Sequence, residues 1–248
     1  MSFGGSPTNY NGHFTFEGIE VLCQINSDLE TIRIEYCSRI GEQCVELLFK
    51  RFGESLKEFH LVRNCFEKCS KITDKLINKM EYVPNLEKLS FVYIRSFREK
   101  FHIYLSSHLH KLKVLNIREC PMQEDFSVLW EGCPLLEEVD MSGDSWVKCE
   151  TVLGLSKHKN LKIFRLGHLE HAEGQCDKGL GEFPPKGMFL ESIFKSKDAF
   201  PNLRTLYLEQ ICGLTYWLDI RIKKLRPELE IKYTLYDKTL NFSQMMQT

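Results

Sequence analysis

Apolar residues return along the chain in one short code, apolar-x-x-apolar-x-apolar. It appears as Leu29-Ile32-Ile34, Leu56-Phe59-Leu61, Leu86-Leu89-Phe91, Leu112-Leu115-Ile117, Leu136-Val139-Met141, Leu161-Phe164-Leu166 and Leu203-Leu206-Leu208. The first members stand 27, 30, 26, 24, 25 and 42 residues apart. A weaker eighth copy, Pro227-Glu228-Leu229-Glu230-Ile231, follows. The second and third members are two apart and so point to the same face of an extended segment, and each copy predicts a short strand with one buried face. Three residues beyond the third member stand Cys37, Asn64, Ile94, Cys120, Asp144, Leu169 and Ile211, where the chain has to turn out of the strand.

Between strands the period changes. Residues 41–52 (GEQCVELLFKRF), 74–80 (DKLINKM) and 16–24 carry apolar positions at three- and four-residue intervals, the mark of a helix that buries one stripe. Each unit therefore reads as strand, turn, helix and return. A unit of about 25 residues cannot close a core alone, so neighbours must stack, with strands lining the inside of a curve and helices its outside. The expected fold is an α/β solenoid over residues 15–233, with seven to eight repeats, a parallel sheet on the concave face and helices on the convex face.

Three stretches carry a resemblance: Leu56-x-x-Phe59-x-Leu61-x-x-Asn64-Cys65, Lys71-Ile72-Thr73-Asp74 and Cys133-Pro134-x-Leu136. With the period near 26, they resemble cysteine-containing leucine-rich repeats, the right-handed horseshoe arrays found in F-box proteins. Only the second copy keeps the Ile-Thr-Asp turn, and Asn or Cys holds the strand-end position in three of seven copies. In that family such arrays select substrates for cullin-type ubiquitin ligases. The resemblance thus implies a substrate-recognition arm, with ubiquitin-ligase components among its partners.

An F-box segment is not found in residues 1–27. Residues 16–24 look like the helix of a repeat whose strand is absent. The first strand would then have an open edge, which residues 10–16 are expected to cover. Either the chain is a shortened or divergent form, or its own start caps the array. Residues 1–14 are read as a flexible or capping segment and 234–248 as a C-terminal tail. The long step from Leu161 to Leu203 holds a Gly- and Pro-rich insertion at about 170–187, read as a loop, after which residues 189–194 resume helical spacing.

Composition narrows the chemistry. The 248 residues carry 33 Lys and Arg against 34 Asp and Glu, so no chain-wide basic field exists for nucleic acid or an anionic membrane. No apolar run approaches the ~20 residues of a membrane span, and no signal-peptide pattern opens the chain. The protein is expected in the cytoplasm or nucleus, where its ten cysteines read as small buried hydrophobes rather than disulfides. Gly187 is followed by Met188, so Gly181–Gly187 is no phosphate loop. His168, His171 and Cys176 lack a fourth zinc ligand, and Cys65 and Cys69 lack redox-pair spacing. With no nucleophile elbow or metalloprotease motif, the chain reads as non-enzymatic, without cofactor or metal.

What remains is the solvent-facing side of the strands. Strand parity assigns to it Thr31/Arg33/Glu35, Glu58/His60/Val62, Lys88/Ser90/Val92, Val114/Asn116/Arg118, Glu138/Asp140/Ser142, Ile163/Arg165/Gly167 and Thr205/Tyr207/Glu209, stacked in register. Val62 and Val92, ringed by Tyr36, His60, Arg63, Tyr93 and Arg118, have the composition of a protein-binding hot spot. Asp140 is expected to pair weakly with Arg165. Truncating Tyr93 and Arg118 is expected to weaken a partner without altering the melting temperature. The functional reading is a protein-recognition scaffold serving a ubiquitin ligase, with a non-ubiquitin assembly adaptor using the same face as the alternative.

Overall fold

The computed structural model describes residues 2–4, 15–24, 28–37, 40–62, 73–94, 97, 101–120, 126–143, 147–167, 186–209 and 215–234. Nine strands form one open, all-parallel sheet in strict chain order. They are β1 (Ser2–Gly4), β2 (Thr31–Glu35), β3 (Glu58–Val62), β4 (Lys88–Val92), β5 (Val114–Asn116), β6 (Glu138–Met141), β7 (Ile163–Leu166), β8 (Thr205–Glu209) and β9 (Glu230–Thr234). Between them run α1 (Phe16–Gln24), α2 (Glu42–Phe52), α3 (Asp74–Ile77), α4 (Phe101–His108), α5 (Ser127–Gly132), α6 (Cys149–Ser156), α7 (Lys186–Lys195) and α8 (Thr215–Leu225). Each helix neighbours the next along the chain, so sheet and helices form two layers that advance together.

The repeated code explains this order. The second and third apolar members of all seven copies are buried in one continuous core, as are Leu229 and Ile231 of the eighth. The leading leucines join them except Leu29, which is half-buried. A repeated backbone device fixes the register where each strand begins. The amides of Lys57 and Glu58 both donate to the Glu30 carbonyl, those of Glu87 and Lys88 to Lys57, and those of Lys113 and Val114 to Glu87. Inside the core, edge-on and stacked rings run from Phe49 through Phe59, Phe91, Phe97 and Phe101 to Phe126, with neighbouring centroids 4.8 to 6.1 Å apart. This aromatic line crosses several repeats, and no unit has a core of its own.

Local chemistry sets the helix starts. Thr73 caps α3 by accepting the Lys75 amide at 3.3 Å, while its own amide donates to Glu42 of α2 at 2.5 Å. Thr73 therefore ties α3 to the helix before it. The expected helix at 74–80 is divided: α3 stops at Ile77 and a 3-10 turn follows at Met80–Tyr82. Helix α7 starts at Lys186, inside the expected 170–187 loop.

At the first edge the expectation is corrected. The repeat of α1 does have a strand: Ser2, Phe3 and Gly4 pair in parallel with Arg33, Ile34 and Glu35. Edge pairing of β2 thus comes from residues 2–4 rather than 10–16, most of which lie outside the described residues. Cys37, Cys44, Cys120 and Cys133 are buried and Cys23 and Cys149 half-buried, all as free thiols. Burial pushes the thiols of Cys120 and Cys133 up to about 12, which makes them poor nucleophiles. Among the described residues no helix is long and apolar enough to cross a membrane.

Candidate functional site

The face of the sheet turned away from the core carries three side chains per strand, stacked in rows. Across β2, β3 and β4 the register aligns Thr31, Glu58 and Lys88, then Arg33, His60 and Ser90, then Glu35, Val62 and Val92. The rows continue through β5 to β9, where Asn116, Asp140, Arg165, Tyr207 and Lys232 make the middle one. The Tyr93 amide bonds to the Arg118 carbonyl and the Glu119 amide to the Ser142 carbonyl. These bonds extend the last row through Arg118 and Ser142 to Gly167 and Glu209.

Exposure is graded across the rows. Lys88 and Glu230 of the first row are open to solvent, whereas most of the last row is covered. Val62 and Val92 lie on this face, outside the core cluster as parity requires, yet are only 2% and 0% exposed. The expected open apolar centre is therefore absent. In a parallel sheet neighbours in one row stand about 4.8 Å apart. The two valines flank each other, with the longer Glu35 and Arg118 on either side. Tyr36 and Tyr93 follow the last row in the left-handed region, with φ of 53° and 61°, and both are half-buried. Glu119 and Gly143 take the same place after β5 and β6 with φ of 56° and 93°, so this turn is a repeated feature of the strand ends. Arg63 lies outside the described residues.

His60 is mostly covered. Its Nε2 stands 3.7 Å from Glu58, which also pairs with Lys88 at 2.7 Å. Burial first, then the Arg33 guanidinium, holds the imidazole below its ordinary value, with Glu58 opposing. Its neutral form is thus favoured.

Arg118 is committed within the chain. Its guanidinium reaches past Ser142 and Gly167 to Glu209, 3.3 Å away and three strands on, and the side chains are 14% and 4% exposed. The Gly143 amide also donates to Glu209. Burial, above all, raises the Glu209 carboxyl above the ordinary carboxylate value, with Asp140 and Glu119 adding to it and Gly143 and Arg118 opposing.

The expected Asp140–Arg165 pairing is present as a weak charge attraction rather than a close ion pair. Asp140 is buried and accepts the Ser142 amide at 3.0 Å and hydroxyl at 2.6 Å, while Arg165 hydrogen-bonds Glu138. Arg165 also lies over the Tyr207 ring at 4.6 Å, and Lys232 approaches the same ring at 5.5 Å. This cation–ring–cation row spans β7 to β9 on the more open part of the face. Strand parity puts Arg165 and Tyr207 on this side, and the register brings them side by side. Their signal was present, an aromatic residue in register with a cation on each neighbouring strand.

His168, His171 and Cys176 lie outside the described residues, and among the described residues no group of three His, Cys, Asp or Glu side chains is placed to hold a metal. No protein-family model matches the chain, and no curated protein matches it.

Proposed function

We propose that this α/β array is a right-handed leucine-rich-repeat solenoid whose sheet forms a concave face that grips a protein segment. The reading rests on one observation: seven consecutive strands, β2 to β8, present the same three positions in register on a face the core does not use. Such a surface offers a partner many evenly spaced polar contacts on a rigid frame, the way repeat arrays bind. The contact zone follows the open rows. Arg33 and Lys88 lie at one end and Arg165, Tyr207 and Lys232 at the other, with Arg and Tyr as the anchors that dominate such interfaces. The scaffold has no catalytic role of its own. The likeness of its repeats to those of F-box proteins supports a task in selecting substrates for a cullin-type ubiquitin ligase.

Proximity labelling in cells, followed by capture with the Arg165→Ala, Tyr207→Ala double variant, tests this. A partner held by the unaltered chain and lost from the variant supports the face. Cullin and its adaptor among the labelled proteins support the ligase task, whereas a stoichiometric partner without them assigns the chain to assembly. A variant that captures the same partner equally well overturns the face.

A further inference from the structure

One position in each repeat lies just before its strand: Glu30, Lys57, Glu87, Lys113, Glu137, Lys162 and Arg204. The sign alternates through six strands. Glu30 and Lys57 meet at 2.5 Å, Glu87 and Lys113 at 2.7 Å, and Glu137 and Lys162 at 2.8 Å. At β8 the alternation breaks, for Arg204 follows Lys162 and its amide bonds to the Lys162 carbonyl. Arg204 thus brings a cation to the place where the alternation would put an acid, while Lys162 keeps its bond to Glu137.

Further cations gather around that break. Lys157 and Lys159 follow α6, Lys197 follows α7, and Lys224 lies in the last turn of α8. All are exposed, as is Arg204, and among the described residues none of the five forms an ion pair. The turns that carry them touch. The Asn202 side chain donates to the Lys159 carbonyl at 2.7 Å, and Arg226 donates to the Lys197 carbonyl at 3.4 Å. The cations therefore share one edge of the array, where the exposed acids are Asp198, Glu228, which pairs with Arg226 at 3.6 Å, and Glu230, which pairs with Lys232 at 3.2 Å. The whole chain has a net charge of -1, so this edge is a local asymmetry and not a reflection of composition.

We infer that the edge formed by the turns after α6, α7 and α8 docks an acidic protein segment, next to the sheet face and as an extension of the recognition role proposed above. A single-stranded nucleic acid fits less well. Binding one calls for open aromatic rings on which bases stack, yet the rings on these turns, His158 and Phe200, are buried and Tyr207 has a cation against its ring from each neighbouring strand.

Fluorescence anisotropy of the full chain with a short Asp/Glu-rich peptide tests the inference, with an oligothymidylate of equal charge as competitor. The peptide should bind, more weakly as salt rises. The combined Lys159→Glu, Lys197→Glu, Arg204→Glu variant should lose about 10-fold or more in affinity, and Lys75→Glu on α3 less than about 2-fold. These side chains are exposed, and circular dichroism confirms that the variants fold. No peptide binding, equal losses in the two variants, or tighter binding of the oligothymidylate overturns the inference. The Arg165→Ala, Tyr207→Ala variant should still bind the peptide, so failure of the edge and failure of the face give different results.

Discussion

Arg118 and Glu209, 91 residues apart in the chain, meet at 3.3 Å above the sheet because the two positions between them in the row are Ser142 and Gly167. A larger side chain at either place would stand in the path of the guanidinium. The bridge joins β5 to β8 and is nearly closed to water, so its partners depend on each other. Arg118→Ala is expected to destabilise the fold by about 3–5 kcal/mol near neutral pH, because it leaves the Glu209 charge buried with the Gly143 amide as its remaining described donor. Glu209→Gln should cost less. Chemical denaturation of both single variants and the double variant checks this, and additive losses would show that the bridge carries no coupling. The melting temperature of Arg118→Ala is therefore expected to fall, whereas sequence alone leads to the expectation that truncating Tyr93 and Arg118 leaves it unchanged.

A second prediction concerns acid. Glu209 is surrounded by the carboxylates of Asp140 and Glu119 as well as by Arg118, and burial raises it above the ordinary 4.5. The folded chain thus holds this proton more tightly than the unfolded chain. The stability that comes from the protonated group is complete below 4.5 and is lost as pH rises through the folded value. Unfolding free energies of the unaltered protein and of Glu209→Gln, measured across this range, should therefore differ by an amount that moves against the unaltered protein as pH rises. A difference independent of pH would refute it.

These contacts mark the boundary of what the sequence discloses. Strand parity suffices to place Leu115, Val139 and Phe164 in the core and Arg165 and Tyr207 opposite them, because alternation is a local property of extended backbone. Parity tells which side a residue faces but not what lies beside it, so it puts Val62 and Val92 on the outer face without disclosing that their neighbours cover them. The Arg118–Glu209 bridge has no local signal; only the small residues in its row hint at it. Strand β1 has three residues, of which Phe3 is the single large apolar one, too short for any period. The left-handed turns at Tyr36, Tyr93 and Glu119 use residue types that do not announce that conformation.

Gly143 is the member of that turn series whose residue type matches its backbone, with φ of 93°. A Cβ there would be strained by conformation and would also stand 2.5 Å from the Glu119 side chain, itself buried beside the bridge. Gly143→Ala should therefore destabilise the protein by roughly 1–3 kcal/mol. Part of the effect should come from Glu119, whose side chain the new Cβ would displace. Shortening the obstructing side chain separates the two causes. In a Glu119→Ala background the same glycine substitution should cost less, retaining the backbone strain and losing the collision. Thermal denaturation of the four proteins measures this coupling, and an equal cost in both backgrounds would assign the whole effect to the backbone.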